Sequence, residues 1–458
     1  MANTHSRAGP TVSGRPFSGR WSRKQARCDD RHERGDWQDS RFLAVPDVKK
    51  VEIQDLTPIG YAAAFIGSSA LFVVAARAIL RTAMSGRGLA GVLALLFLLR
   101  ATLLFTTPIG SDDVYRYLWD GKVQAAALNP YAHAPSSPVL QRLHSDTLPR
   151  LVNHPDLKTP YFPLAQWVFW LAYSMSGEAV WGVKLLILLA EALTVAGTIL
   201  LLRHLGQPLE RSLLYAAAPL ALFQFAFDGH IDAIGFPFLV FGLLLHLRGR
   251  IITGPALLGL SMSVKPVAAV VVLVLLVRER GWRRRLAVVL APLVVLVAQF
   301  IPYAGDARVF EGFFTFARDW MFNGSVFSLV HAIVTNNQHA RIICAAMCVP
   351  VILAIAVRSK DVPTASVYAV LALLLFSPVV HPWYVGWLAV LLPFAPRMSG
   401  LVLVSAVSLT SLTVVTYQTT GVWTDYPLVR LAEYAPVLAL LAREMRNGDT
   451  HLFEVSSS

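Results

Sequence analysis

From about residue 58 onward the chain alternates long apolar runs with short basic loops. Runs at 58–80, 88–107, 181–202, 212–227, 231–247, 284–303, 341–357, 363–380, 383–396, 399–417 and 427–442 approach the ~20 residues with which a helix crosses a bilayer. Several are short for a full crossing, which suits a bundle of uneven helices. Two stretches interrupt the pattern. Residues 161–177, opening on Tyr161-Phe162-Pro163, predict a re-entrant or surface-lying helix. Residues 253–277 contain Lys265-Pro266 and predict a hairpin of two half-helices, because proline removes a backbone donor and breaks the helix. Broken backbone at membrane depth is tolerated only where protein or a wet cavity surrounds it. The expected fold class is all-α, a polytopic integral membrane bundle of about 11–13 membrane segments with a large first external loop.

Residues 1–56 differ from everything after them. They hold eleven Lys/Arg and eight Asp/Glu with almost no apolar periodicity, which predicts a disordered basic tail. The tail lacks the apolar core of a signal peptide, and an upstream start codon would account for it. The expected division is this tail, a membrane domain at 57–445, and a short polar tail at 446–458. No internal repeat of the kind found in many transporters is visible.

Composition removes the soluble alternative. Hydrophobic residues make up 55% of the 458 and charged residues 15%, against about 25% charged in ordinary soluble domains. The net charge of +12 does not imply nucleic-acid binding, because much of it lies in short loops, where Lys and Arg mark the cytoplasmic side. Arg77, Arg81 and Arg87 begin the series. Arg203, Arg211, Arg248, Arg250, Arg278 and Arg280 continue it, then Arg283 to Arg285, Arg358, Lys360, Arg397, Arg443 and Arg446. With these inside, the segments around Asp112-Asp113, 228–232, 304–340, 381 and 418–426 face outward, and so does the basic tail, against the usual bias. Cys344 and Cys348 lie one turn apart in an apolar run and read as packing residues. Cys28 is isolated, so neither a disulfide nor a metal site is expected, and no cofactor.

The chemistry-bearing stretch is Gly110-Ser111-Asp112-Asp113-Val114-Tyr115-Arg116-Tyr117-Leu118-Trp119-Asp120-Gly121, followed by Asn129-Pro130-Tyr131. Two adjacent carboxylates at the rim of a span are costly to place there for stability alone. One would serve as a general base toward a hydroxyl nucleophile; the bland alternative is a helix cap at Ser111 or Asp112. Tyr115 and its aromatic neighbours suit an interfacial helix, and Tyr115 is also a candidate substrate contact. Arg116 is either an ion-pair partner one turn from Asp112 or a phosphate contact.

Four further points carry candidate chemistry. Asp228-Gly229-His230-Ile231-Asp232 is either a solvated turn or a pocket lining. Lys265 needs an anion, a lipid phosphate or a carboxylate of the bundle. Arg318 in Arg318-Asp319-Trp320-Met321-Phe322-Asn323-Gly324-Ser325 is either a phosphate grip or half of a solvated pair. His381 in His381-Pro382-Trp383-Tyr384 donates to phosphate or caps a helix.

The 111–131 stretch resembles the first external loop of GT-C glycosyltransferases, in particular glycosyltransferase family 87 and its polyprenol-phosphate-mannose-dependent relatives. Lys265-Pro266, Phe322-Asn323-Gly324-Ser325 and His381-Pro382-Trp383-Tyr384 fall in the order such proteins show, over roughly residues 58–443. The resemblance implies a GT-C-type helical bundle and an inverting transfer of a hexose, mannose by family weight. The donor would be a polyprenyl-phosphate sugar and the acceptor a glycan or glycolipid, at the outer face of the cytoplasmic membrane. It implies Asp112 as base with Asp113 as alternate, Lys265 and His381 as donor-phosphate contacts, and Arg116 and Arg318 less directly; the basic tail lies outside the pattern. A transporter or lipid-linked sugar flippase is the competing reading. It would place its charges at the midplane, in broken helices with repeat symmetry, whereas here the acidic residues cluster in a loop. A non-catalytic scaffold would leave the carboxylate pair without a task.

Overall fold

The structure, a computed structural model, describes residues 56–305 and 308–446. Among these, helices carry the fold and no strand forms beyond an isolated bridge between Phe322 and Val379. The expected tails lie outside the described residues except at their inner ends, Leu56 and Arg446.

Among the described residues, five helical stretches are long and apolar enough to cross a bilayer: Thr57–Ile79, Trp181–His204, Trp282–Tyr303, Asn337–Arg358 and Met398–Thr420. They expose apolar side chains such as Leu71, Leu189, Val294 and Ile342, and the apolar window of Trp282–Tyr303 is only 22% buried. No water-soluble core helix would leave such a face uncovered, whereas lipid covers it at no cost. The protein is an all-helical, multi-pass membrane protein.

Among the described residues, the helices of full crossing length are fewer than the apolar runs. The runs at 212–227 and 231–247 do not form two straight helices; Ala221–Phe227 and Ile231–Leu247 form one pair bent by 94°. The cause is local: Gly229 takes φ +80°, a backbone state that glycine alone adopts without strain, and the chain turns there. Elsewhere apolar runs end early, at Thr102 in α2 (Gly86–Thr102) and at Phe376 in α13 (Val362–Phe376).

The stretch expected to be re-entrant or surface-lying is α4 (Pro163–Ser176), packed on α3 (Asp113–Ala125) and α5 (Trp181–His204). Tyr117 stacks on Phe169 at 4.6 Å, and Trp170 and Leu171 face outward, as suits an interfacial helix. The break at Lys265-Pro266 is present, between α7 (Thr253–Met262) and α8 (Ala269–Arg278). The halves do not form a side-by-side hairpin, however. α7 packs on α6 (Gly235–Leu247) and α9 (Trp282–Ala298), while α8 packs on α12 (Asn337–Arg358) and α13.

Buried charges tie the bundle together. Arg100 on α2 meets Glu191 on α5 at 3.1 Å, both almost fully buried, and donates to the Ala216 carbonyl at 2.8 Å. Lys184 on α5 donates to the carbonyls of Leu103 and Thr106, at 3.1 and 2.6 Å, where α2 ends. An intramembrane charge satisfied in this way holds two elements in one register. Cys344 and Cys348 are buried on α12.

Candidate active site

The chain leaves α2 and turns into α3 through Ile109-Gly110-Ser111-Asp112. Asp228 fixes that turn from the bent pair. It is buried and accepts from the backbone N–H of Ile109 at 3.1 Å and Gly110 at 2.8 Å, and from the Tyr61 hydroxyl at 2.5 Å. Gln418, at the end of α16 (Ser411–Thr420), donates to the Ile109 carbonyl at 2.5 Å. Segment 228–232 is therefore not a solvated turn: Asp228, His230 and Asp232 are all buried, because each carries a protein partner or packs against a ring.

Ser111 supplies the cap, its hydroxyl accepting from the Asp113 N–H at 3.2 Å. Asp112 occupies the N-cap position without a side-chain cap bond, so capping does not engage its carboxylate. Asp112 keeps an exposed edge, yet protein crowds the rest of its carboxyl and Asp113 lies beside it, which pushes its pKa up to about 6. Asp113 points inward. Asn153 donates to one oxygen at 2.8 Å, and His230 Nδ1 lies 3.6 Å from the other. Burial raises the Asp113 pKa above the usual carboxylate range, while the Asn153 hydrogen bond and the charge of Lys265 pull it back.

From His230 a column of rings crosses the site. His230 stacks on Trp383 at 3.6 Å, Trp383 on His381 at 4.3 Å, and His381 on Phe322 at 4.8 Å. Phe322 meets Trp423 at 5.1 Å. His381 is held neutral, its pKa pushed down to about 3 by burial and by the Lys265 charge. Phe322 is pinned beside the His381 segment by its backbone: its N–H donates to the Pro378 carbonyl at 3.0 Å, and its carbonyl accepts from Val380 N–H at 2.8 Å. Asn323 holds that turn at φ +52° and donates to buried Glu433.

Lys265 finds a carboxylate: its Nζ is 2.7 Å from Asp232 Oδ1, which also accepts from Trp387 Nε1 at 2.7 Å. The ammonium sits 3.6 Å from the Tyr384 ring centre and keeps 19% of its side chain exposed, so one face remains open to an anion.

Other expected residues lie apart from this cluster or are already engaged. Arg116 is buried, bonded to Asp120 at 2.9 Å rather than to Asp112, and to the Leu157 carbonyl at 2.9 Å. Asp120 in turn accepts from Gln166 at 3.0 Å, so Arg116 belongs to the α3–α4 joint. Arg318 is exposed and paired with Asp319 at 2.8 Å, the solvated-pair alternative; none of its described contacts involves Asp112, Asp113, Lys265 or His381. Tyr115 is half-buried beside Asp112. Asn129 forms the expected turn by accepting from Tyr131 N–H at 3.0 Å.

The sequence reading missed Asn153, the Trp383 stack, Asp232 as the Lys265 partner and Asp228 as the loop anchor. Lys184 and Glu191, two charges inside an apolar run, were a usable signal. Among the described residues no His, Cys, Asp and Glu cluster has metal-holding geometry. What the site offers is a carboxylate of raised pKa at an open edge, a cation with a small exposed face, and a stack of neutral rings that starts beside Asp113.

A family model described as "Alpha-(1->6)-mannopyranosyltransferase, N-terminal domain" matches residues 35–284, and one described as "MptB C-terminal domain" matches residues 323–445. Alpha-(1->6)-mannopyranosyltransferase A of Corynebacterium glutamicum is 26% identical over 183 residues, which are 38% of this chain and 36% of that protein. The chain thus spans little more than a third of that relative. The apo crystal structure of ArnT from Cupriavidus metallidurans is similar at 18% identity and TM-score 0.43, covering 78% of this chain and 64% of ArnT. Its undecaprenyl-phosphate-bound form gives 16%, 0.44, 79% and 72%.

Proposed function

Because the chain belongs to the alpha-(1->6)-mannopyranosyltransferase family, we propose that it transfers a mannosyl unit from a polyprenyl-phosphate donor to the hydroxyl of a glycan or glycolipid acceptor. The bundle is of GT-C type, and the site faces the outer side of the cytoplasmic membrane. The observation that carries this is the Asp112 carboxylate, which makes no cap bond and stands next to Asp113, itself beside His230 of the ring column and within reach of the Lys265 charge.

In a single displacement the acceptor oxygen attacks the anomeric carbon, and the bond to the phosphate oxygen breaks with its electron pair. The hydroxyl proton passes to Asp112. A carboxylate with pKa near 6 is a better base at neutral pH than an ordinary one and remains ionised. Lys265 stabilises the charge growing on the departing polyprenyl phosphate, with Asp232 and Tyr384 fixing its position. Asp113, held by Asn153 and beside His230, orients the acceptor. One carboxylate suffices for an inverting step, whereas a hydrolase needs two set across the bond. Inversion to an alpha linkage requires a beta-linked donor.

The test is transfer by the purified protein from a panel of labelled polyprenyl-phosphate sugars. Mannosyl transfer that disappears in the Asp112→Asn, Asp113→Asn double variant while donor binding persists supports the proposal. Full turnover in the double variant overturns the catalytic assignment. Movement of the lipid across vesicles without bond formation favours the flippase reading.

A further inference from the structure

Phe322 also lines a cavity of about 220 Å³ that the proposed chemistry does not use. Phe322, Asn323, Phe327, His331, Asp425 and Arg430 line it. It is smaller than the several hundred Å³ of a drug-sized pocket, which suits a single ring of saccharide size. Arg430 bonds Asp425 at 2.8 Å, while its Nε is buried and has no hydrogen-bond partner among the described residues. A buried donor without a partner is costly and marks a place for an absent acceptor.

The balance of charge narrows the ligand. Arg430 and Asp425 neutralise each other, so the lining offers hydrogen bonds of both senses rather than a net charge for an anion. Trp423 packs on Phe322 at 5.1 Å and is 47% exposed as a residue, and Tyr417 packs on Trp423 at 5.6 Å. Open aromatic faces beside a paired carboxylate and guanidinium match a neutral polyhydroxylated ring, which has apolar C–H faces and hydroxyls that both donate and accept. The cavity also reaches the site by a defined route: Phe322 joins it to His381 and the column that ends at Asp113. Gln418, at the end of α16 shortly before Trp423, donates to the Ile109 carbonyl at the start of the Asp112 turn.

We propose that this cavity and the Trp423 face form a subsite for a neutral saccharide of the acceptor, holding a sugar residue remote from the one that reacts. The proposal rests on the transferase reading, and its test separates the two. The probe is α-(1→6)-linked mannotriose, used with the full chain in detergent or nanodiscs. Trp423→Ala and Arg430→Gln should each raise the KM for this acceptor about tenfold, with little change in kcat or donor KM, and Trp423→Phe should restore it. An unchanged acceptor KM, or a rise confined to donor KM, overturns the subsite. Direct binding of mannotriose to the Asp112→Asn, Asp113→Asn protein is read by tryptophan fluorescence, with the Trp423→Ala change added as a control. Binding that the control abolishes, in a protein whose wild type transfers nothing, upholds the subsite and sinks the transferase reading. Transfer with unaltered variant kinetics does the reverse.

Discussion

Asp228 and Gly110 lie against each other with no room between them: the Gly110 N–H donates to Asp228 at 2.8 Å, and a Cβ at Gly110 would run into the Asp228 carboxylate and the Tyr61 hydroxyl. The turn that delivers Asp112 is set by that contact. Gly110→Ala should therefore cut turnover at least about tenfold while leaving membrane insertion intact, since a small misplacement of reacting groups is costly. Gly110→Ser at wild-type activity would show that the turn tolerates displacement. Activity measured against the amount of folded protein checks it.

Asp112 should govern the pH profile. With its pKa near 6, the base form fills as pH rises, so kcat should climb through about pH 6 and level off above it. Asp112→Asn should lower kcat about 10²-fold or more and remove that limb; a limb that persists in the variant assigns it to another group. The stability consequence runs the other way. A carboxyl whose pKa is raised on folding favours the folded state while protonated, and that contribution is lost as pH rises from the ordinary carboxylate range through about 6. Asp112→Asn should flatten this decline in melting temperature.

Arg100 and Glu191 make a separate prediction about stability. Glu191→Ala leaves Arg100 buried without its carboxylate and should cost about 3–5 kcal/mol, whereas replacing both by apolar residues of similar volume should be close to neutral. Thermal unfolding in detergent distinguishes the two. A single variant as stable as the wild type would mean that water reaches Arg100.

Lys265 has two roles to separate. Lys265→Met should weaken the donor, seen as a raised donor KM, and should also strand Asp232. Adding Asp232→Asn should recover melting temperature but not activity. If activity returns as well, Lys265 acts only as the partner of Asp232.

Much of this site was legible because polar residues in an apolar chain are conspicuous. The Asp112-Asp113 pair, the break at Lys265-Pro266 and His381 all stand out against their neighbours, and Asp113 and His381 both lie within reach of the Lys265 charge. Partnership was not legible. Asp232 and Lys265 are 33 positions apart, and Asp228 binds a turn 118 positions earlier, separations that no local periodicity encodes. Arg116 and Arg318 were read for phosphate because charge alone does not reveal commitment; the first is enclosed by Asp120 and Leu157, the second pairs with its neighbour. Nor can a hydropathy window register the turn that Gly229 makes between two apolar runs.

The ring column has a consequence for how the protein is assembled. His230 belongs to the stretch covered by the first family match, and Trp383, His381 and Phe322 adjoin or lie within the second. Each half supplies only part of the stack, so the matched regions are not independent modules. A chain cut between the two matched regions should be inert as separate pieces and regain turnover when both are co-expressed, and recombining halves from distant homologues should fail at the face where imidazole meets indole.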